Sequence, residues 1–304
     1  MVRVAITGAT GFVGSAVLDT ARQKGFDVRA LTRRNQTDEK RLTWMRGALD
    51  DAVSLGKLVE GSDALIHVAG LTSTPNPERF EAANVTGTAN VIAAAKAAGV
   101  DRFVFVSSLS AREPDLSAYG ASKARAEELV EASGLDWTIV RPPAVYGPRD
   151  TDIFELFRAA KFGLVPVPPR GRTSIIHVED LARLLVALAT PNPATSRQTY
   201  EPWDDNAFGY EHSELAKMIA EAVGNPNAIA APLPAPVMQI GAKLDGLIRG
   251  AKAKLTTDRV GYMLHPDWVC DLKRAPPISV WQAVWDGQSG LKMTAEWYKG
   301  EGWL

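Results

Sequence analysis

Cysteine is nearly missing from this chain, histidine is scarce, and neither sign of charge is in excess. A single cysteine, Cys270, in 304 residues excludes an internal disulfide and suits a reducing compartment. The four histidines, His67, His177, His212 and His265, stand too far apart to form a local metal-ligand motif, so no metal is expected. The 34 Lys and Arg against 35 Asp and Glu leave a net charge of −1. Bulk electrostatics therefore give no reason to expect a nucleic-acid partner. No stretch approaches the roughly 20 apolar residues that span a bilayer, so stable membrane insertion is not expected. The first apolar run, Val2-Arg3-Val4-Ala5-Ile6, is short and enters a glycine turn at once. It reads as a strand rather than an export signal, and a cytoplasmic location follows as an expectation.

What is present is an alternation of short apolar runs with helical patterns. Strands are expected at Val2–Ile6, Asp27–Leu31, Ala64–Val68, Phe103–Ser107 and Trp137–Arg141. Helices are expected at Gly14–Lys24, Ser54–Glu60, Ala83–Ala98 (with Val91 and Ala95 on one face) and Tyr119–Ser133. Short connections between such units imply right-handed crossovers and a parallel sheet with helices on both faces. The expected fold class is therefore α/β, a doubly wound Rossmann sheet with a smaller, mostly helical C-terminal substrate domain. Residues 1–162 form the nucleotide-binding domain, 163–173 a Pro/Gly connecting loop, and 174–203 a return to the first domain as a strand, a helix and an edge strand at 198–202. Residues 204–304 form the second domain, interrupted by a Pro-rich hinge at 225–236.

"VAITGATGFVGSAV" places Gly8, Gly11 and Gly14 between the first strand and the first helix. Three glycines at this spacing permit a tight turn, close backbone approach to a pyrophosphate and tight helix–strand packing. The helix N-terminus adds free N–H groups and a partial positive charge. The loop residues Gly8, Thr10, Gly11, Phe12, Val13 and Gly14 are thus candidate dinucleotide contacts. At the end of the second strand, an acid that would hold an adenosine ribose hydroxyl is missing, and Thr32-Arg33-Arg34 stands there instead. A 2′-phosphate repels a carboxylate and accepts bidentate hydrogen bonds from guanidinium groups. NADP(H) is the expected cofactor, with Arg33 as its principal selector, Arg34 as its helper and NAD(H) still compatible.

"AYGASKARAEEL" holds Tyr119 and Lys123 four apart, on one helix face. A free tyrosine titrates near pH ~10 and is a poor acid or base at neutral pH. A neighbouring ammonium favours its phenolate. Upstream, the strand "FVFVSS" ends in Ser107 and Ser108. Strand C-termini are where open α/β sheets bind ligands, and a hydroxyl there can hold a substrate oxygen while the tyrosine exchanges its proton.

These pieces, taken in order, resemble the extended short-chain dehydrogenase/reductases, in the NAD-dependent epimerase/dehydratase group. The motifs that carry the resemblance are "TGATGFVG", "ALIHVAG", "NVTGTANVIAAAKAAGVDRFVFVSS", "YGASK", "RPPAVYGP", "IIHVEDLA" and the terminal "GLKMTAEWYKGEGWL". The resemblance implies Tyr119 as general acid/base, Lys123 as the nicotinamide-ribose ligand that lowers the tyrosine pKa, and Ser108 as the group that positions a carbonyl. It marks Asn84 as a catalytic candidate, with structural support as an equal reading. It also marks Val68, Ala69, Gly70, Val106, Pro142 and Val145 as cofactor contacts, and Leu71, Thr72, Leu109, Pro143 and Tyr146 as substrate contacts. One departure is Ala48, which stands where the family often has an aspartate near the adenine. Leu49 is left to pack on that ring, with Asp50 as a replacement polar contact.

Nucleotide-sugar relatives often carry an arginine where this chain has Thr173, with Arg172 one position off and Arg170 nearby. The pattern therefore looks more like the carbonyl reductase branch. The leading expectation is an NADPH-dependent oxidoreductase that interconverts a carbonyl and an alcohol on a small organic molecule. The alternatives are a nucleotide-sugar epimerase or dehydratase with bound NAD, and a non-catalytic NADPH-binding sensor or assembly protein. A homodimer is compatible with all three. The segment Pro236–Lys254 reads as an amphipathic helix, with Val237, Ile240, Leu244, Leu247 and Ile248 on one side and Lys243, Arg249, Lys252 and Lys254 as its cations. It is expected to serve as a lid, with membrane-surface binding as the other reading. Trp281, Trp285, Trp297 and Trp303 are expected to tie the tail into the fold.

Overall fold

A computed structural model describes residues 2–250 and 253–304. Strands β1 (Arg3–Thr7), β2 (Asp27–Thr32), β3 (Leu42–Arg46), β4 (Ala64–His67), β5 (Arg102–Val106) and β6 (Asp136–Val140) lie in one sheet with the edge strand Gln198–Tyr200. Their spatial order is β3-β2-β1-β4-β5-β6-edge, and every neighbouring pair is parallel. The order reverses between β1 and β4, which opens a crevice at the C-terminal ends of those strands. Both faces of the sheet are covered. Val4 and Ile6 pack under the helices Phe12–Gln23 and Val178–Leu188. Ala5, Leu65, Phe103 and Phe105 pack under Ala52–Val59, Gly87–Ala97 and Ala118–Glu131. Burial on both sides explains why these strands read as continuous apolar runs.

Several local expectations change. Strand β3 was not expected, because only Leu42 of "LTWMR" is fully buried and the segment sits at the sheet edge with little apolar signal. The Pro/Gly loop and the Pro-rich hinge are also not wholly irregular. Leu164–Val167 pairs in parallel with Ile229–Pro232. Val165 and Val167 point inward while Pro166 and Pro232 stay exposed, positions where a two-stranded edge tolerates proline. The amphipathic helix runs Ala235–Arg249 and ends at Gly250, so it is shorter than its pattern suggested. Lys252 lies outside the described residues. The stretch from Glu81 is composite, with a π-helical turn at Glu81–Thr86 before the α-helix Gly87–Ala97.

A second core gathers Tyr146, Phe157, Val165, Ile175, Tyr210, Ile219, Leu291 and Tyr298. The tail tryptophans do attach the chain end. Trp281 Nε1 donates to the Asp180 carbonyl at 2.8 Å, and Trp285 Nε1 donates to Glu179 at 3.2 Å. Trp297 and Trp303 pack against Tyr298. No helix among the described residues is long and apolar enough to cross a membrane.

Candidate active site

The glycine loop sits at the β1–β4 crevice, and its backbone has no room for side chains. Gly8 has φ +75°, and a Cβ there would lie 2.7 Å from the Ala69 nitrogen. A Cβ on Gly14 would lie 1.9 Å from the Gly8 carbonyl oxygen. The loop closes on itself through the Gly11 N–H, which donates to the Gly8 carbonyl at 2.9 Å. No side chain caps the following helix, Phe12–Gln23, so its first-turn N–H groups, including those of Phe12 and Val13, stay available to an anion. Thr10 and Gly11 are exposed at the mouth of the loop. This backbone cradle fits a dinucleotide pyrophosphate.

At the end of β2, the Arg34 N–H donates to Thr32 Oγ1 at 3.1 Å, making a local turn. Arg33 and Arg34 emerge from it exposed. The acids of the following loop are engaged elsewhere. Glu39 pairs with Arg22 at 2.7 Å, and Asp38 accepts the Trp44 N–H. Leu49 is half-buried against the core and touches Gly87, while its carbonyl accepts from Asn90 at 2.8 Å. Asp50 is exposed. Its neighbour Asp51 is the N-cap of Ala52–Val59, accepting from Val53 and Ser54.

The β5 end and the helix Ala118–Glu131 bring Ser108, Tyr119 and Lys123 together. Lys123 Nζ donates to the Val106 carbonyl at 2.7 Å and lies 4.5 Å from the Phe105 ring centre. Burial lowers its pKa to about 8, opposed by Glu127 one turn along. Burial pushes the Tyr119 phenol up to about 12, opposed first by a hydrogen bond with Ser108 and also by Arg259. The lowering expected from Lys123 is not found here. Desolvation dominates, and the cation that pulls on Tyr119 is Arg259, from elsewhere in the chain.

Asn84 sits in the π-helical turn, a feature frequent at functional sites. Its Oδ1 accepts the Leu71 N–H at 2.7 Å, and its Nδ2 donates to the Leu71 carbonyl at 3.0 Å and to Ser122 Oγ at 2.9 Å. Both amide protons are used, so Asn84 ties the loop after β4 to the tyrosine helix. Beneath it, Thr88 Oγ1 gives its proton to the Asn84 carbonyl at 2.6 Å, so it must accept from His67 Nε2 at 3.0 Å. His67 Nδ1 is then the acceptor for Thr7 Oγ1 at 2.6 Å, which in turn accepts the Ala69 N–H at 3.2 Å. Burial holds the His67 pKa down at about 3, consistent with this neutral tautomer. The chain of bonds fixes Val68, Ala69 and Gly70 under the crevice. Gly70 matters sterically too, since a Cβ on it would meet Asn84 Oδ1 at 3.1 Å and Lys123 Nζ at 3.8 Å.

The other expected contacts divide. Leu71 and Thr72 follow Gly70 directly, and Thr72 is exposed. The Pro142 carbonyl accepts the Leu109 N–H at 3.0 Å, which joins the "RPPAVYGP" segment to the serine turn. Val145 packs against the main core, and Pro143 is half-buried. Leu109 packs with Trp268, Cys270 and Tyr262. Tyr146 stands apart from this cluster. It is 1% exposed in the second core, its ring edge-on to His177 at 5.3 Å and its hydroxyl hard against Gly290. It reads as a packing residue, because its short strand Ala144–Tyr146 turns that side chain inward.

Sequence reasoning missed a group from the far end of the chain. Asp258 accepts the N–H groups of Ala118 at 2.6 Å and Tyr119 at 3.3 Å, so it caps the tyrosine helix together with Ser117. Tyr262 places its ring 6.1 Å from that of Tyr119, and Arg259 pairs with Asp152 at 3.0 Å. A Cβ on Gly261 would lie 2.4 Å from the Leu116 carbonyl oxygen, so the two segments meet backbone to backbone. "TTDRVGYM" does carry a helix-start signal at Thr256-Thr257-Asp258, but nothing in it names the helix 140 residues earlier that it serves. Asp258→Ala is expected to cost about 1 kcal/mol, the usual scale of a lost helix cap, and to lower turnover. A thermal melt and a kcat measurement on the same preparation check both.

Residues 4–201 match the NAD dependent epimerase/dehydratase family. A ceramide reductase of Caulobacter vibrioides is 36% identical over 310 positions, covering 99% of this chain and 96% of that protein. A 4-hydroxy-2-methyl-3-oxo-4-farnesyl-3,4-dihydroquinoline-1-oxide ketoreductase of Stigmatella aurantiaca is 32% identical, covering 63% of this chain and 65% of its own. Among solved structures, MoeE5 in complex with UDP-glucuronic acid and NAD superposes with a TM-score of 0.76 at 25% identity, over 99% of this chain and 100% of that one. The Bordetella bronchiseptica enzyme WbmH in complex with NAD+ gives 0.76 at 22%, covering 99% of each chain, a likeness of fold. The Rossmann strand order agrees with these matches, and the chain belongs to the NAD-dependent epimerase/dehydratase family of extended short-chain dehydrogenase/reductases.

Proposed function

We propose that this protein is an NADPH-dependent reductase that converts a carbonyl on a lipid-like, long-chain molecule to an alcohol. The observation that carries the reading is the convergence of Ser108, Tyr119 and Lys123 at the β5 end, beside the glycine cradle. A dinucleotide held by the Gly8–Gly14 loop would supply the hydride. Ser108 holds the carbonyl oxygen, and Tyr119 gives it the proton, which solvent then replaces. Lys123 keeps a positive charge one helical turn away. Asn84 acts as the brace that aligns the loop after β4 with the tyrosine helix. Two further points favour reduction over sugar-nucleotide epimerisation. Arg172 donates to the carbonyls of Phe208 at 3.0 Å and Gly209 at 2.9 Å and faces the Glu211 carboxylate at 3.4 Å, a setting that disfavours a phosphate beside it. The two sequence relatives described above are named as reductases, one of them for a ceramide.

The test is NADPH consumption with long-chain ketones against a panel of UDP- and dTDP-sugars. Turnover of a sugar nucleotide without net NADPH loss would establish the epimerase instead. The pH dependence follows from the site. With Tyr119 near 12 and Lys123 near 8, the phenol stays protonated through neutrality and the ammonium is lost above about pH 8. Reductive kcat is therefore expected to be level up to about pH 8 and to fall above it. A reductive rate that climbs from pH 7 to 9 would count against Tyr119 as the proton donor.

A further inference from the structure

The helix Ala235–Arg249 uses only part of its surface to hold the fold. Met238 and Ala242 face inward and pack with Val260, Leu255 and Met263. Outward, Val237 is 48% exposed, Ile240 58%, Leu244 52%, and Leu247 and Ile248 82% each. At 100° per residue these five fall within a stripe about 100° wide. The paired strands Leu164–Val167 and Ile229–Pro232, the second of which leads into the helix, add exposed Leu164 and Ile229. Exposed aliphatic side chains scattered singly need no explanation, but a continuous stripe on one helix does.

Charge decides what covers the stripe. Between residues 235 and 254 the sequence has four cations, Lys243, Arg249, Lys252 and Lys254, against the single acid Asp245. This segment is net positive in a chain whose total is −1. Lys243 is exposed on the flank of the stripe, while Arg249 pairs with Asp245 at 3.2 Å and Lys254 with Glu155 at 3.1 Å. A two-fold contact with a second copy would set this positive segment against itself. An anionic lipid surface reverses that sign. The stripe also lies one layer from the chemistry, because Val260 and Met263 beneath it belong to the helix Thr257–Met263 that carries Asp258, Arg259 and Tyr262 to Tyr119.

We propose that the outer face of Ala235–Arg249 docks the protein on an anionic membrane surface, lying in the interface with its aliphatic stripe among the lipids and without crossing the bilayer. The lipid-substrate reading above supplies the purpose, since docking there would place the site beside a membrane-held substrate. The binding itself is measured without turnover, so the two readings fail separately.

The experiment is co-sedimentation of the full chain with phosphatidylcholine vesicles made with and without phosphatidylglycerol. Partitioning onto the anionic vesicles is expected, weakening as salt rises. Leu247→Ser combined with Ile248→Ser is expected to lower the partition coefficient roughly a hundredfold, from the lost burial of two aliphatic side chains. Lys243→Glu is expected to lower it roughly tenfold. Both variants change exposed residues, so the circular dichroism spectrum and turnover of a water-soluble ketone should match wild type. Wild type that stays in the supernatant with anionic vesicles would overturn the proposal. So would a sedimenting dimer that the serine variant dissociates, since a second copy would then be the occupant.

Discussion

Tyr119→Phe is expected to lower reductive kcat by roughly a hundredfold to ten-thousandfold, the range a positioned acid contributes, while leaving the fold and the affinity for NADPH nearly unchanged. The reasoning is local. The ring of Tyr119 is held by Phe80 at 5.7 Å and Tyr262 at 6.1 Å, and phenylalanine keeps both contacts. Its backbone N–H is held by Asp258 regardless of side chain. Only the hydroxyl is lost, and with it the hydrogen bond with Ser108. A substitution that lowers kcat and kcat/KM equally removes an interaction made in the transition state, so the two should fall together with KM steady. Unchanged turnover would favour the non-catalytic NADPH-binding reading. A matching loss of cofactor affinity would mean the ring had moved and the experiment was reporting structure.

Much of this site is local in sequence, and that is why it could be read there. The glycine loop, the serine pair after β5 and the Tyr119–Lys123 spacing each declare a geometry within a dozen residues, because turn chemistry and helical periodicity are short-range. The same holds for Arg33 and Arg34, which follow a strand that announces itself. What escaped reading depends on partners far along the chain. Asp258 looks like an ordinary helix-start acid until the fold sets it against Ala118. Tyr146 looks like a site residue in "RPPAVYGP" until Ile175, His177 and Gly290 enclose it. The paired strands Leu164–Val167 and Ile229–Pro232 contain prolines that usually mark loops, and only their mutual pairing makes them regular. The Tyr119 pKa belongs to the same class. Spacing suggests a helpful lysine, but burial, with Phe80 and Tyr262 packed on the ring, sets the balance.

Arg33→Asp is expected to invert cofactor preference. The side chain stands exposed just after Thr32, on a turn pinned by the Arg34 N–H to Thr32 Oγ1 bond at 3.1 Å, so the substitution should leave the backbone in place. Losing a hydrogen bond to a charged group costs about 1.5–3 kcal/mol, which is roughly a tenfold to hundredfold loss in NADPH affinity. The new carboxylate adds repulsion toward a 2′-phosphate and a hydrogen-bond acceptor for a 2′-hydroxyl, so NADH affinity should hold or improve. Arg33→Ser separates these effects, because it removes the cation without adding the acid and should weaken NADPH alone. Arg34→Ser should do the same to a smaller degree. High salt should narrow the wild-type preference, since exposed charges are screened over about 10 Å at 0.1 M. Fluorescence titration of both dinucleotides against the three variants decides the matter. A wild-type protein that binds NADH and NADPH equally, or an Arg33→Asp ratio that does not move, would remove the arginines from the cofactor site. The argument for net reduction would then rest on Arg172 and on the reductase relatives alone.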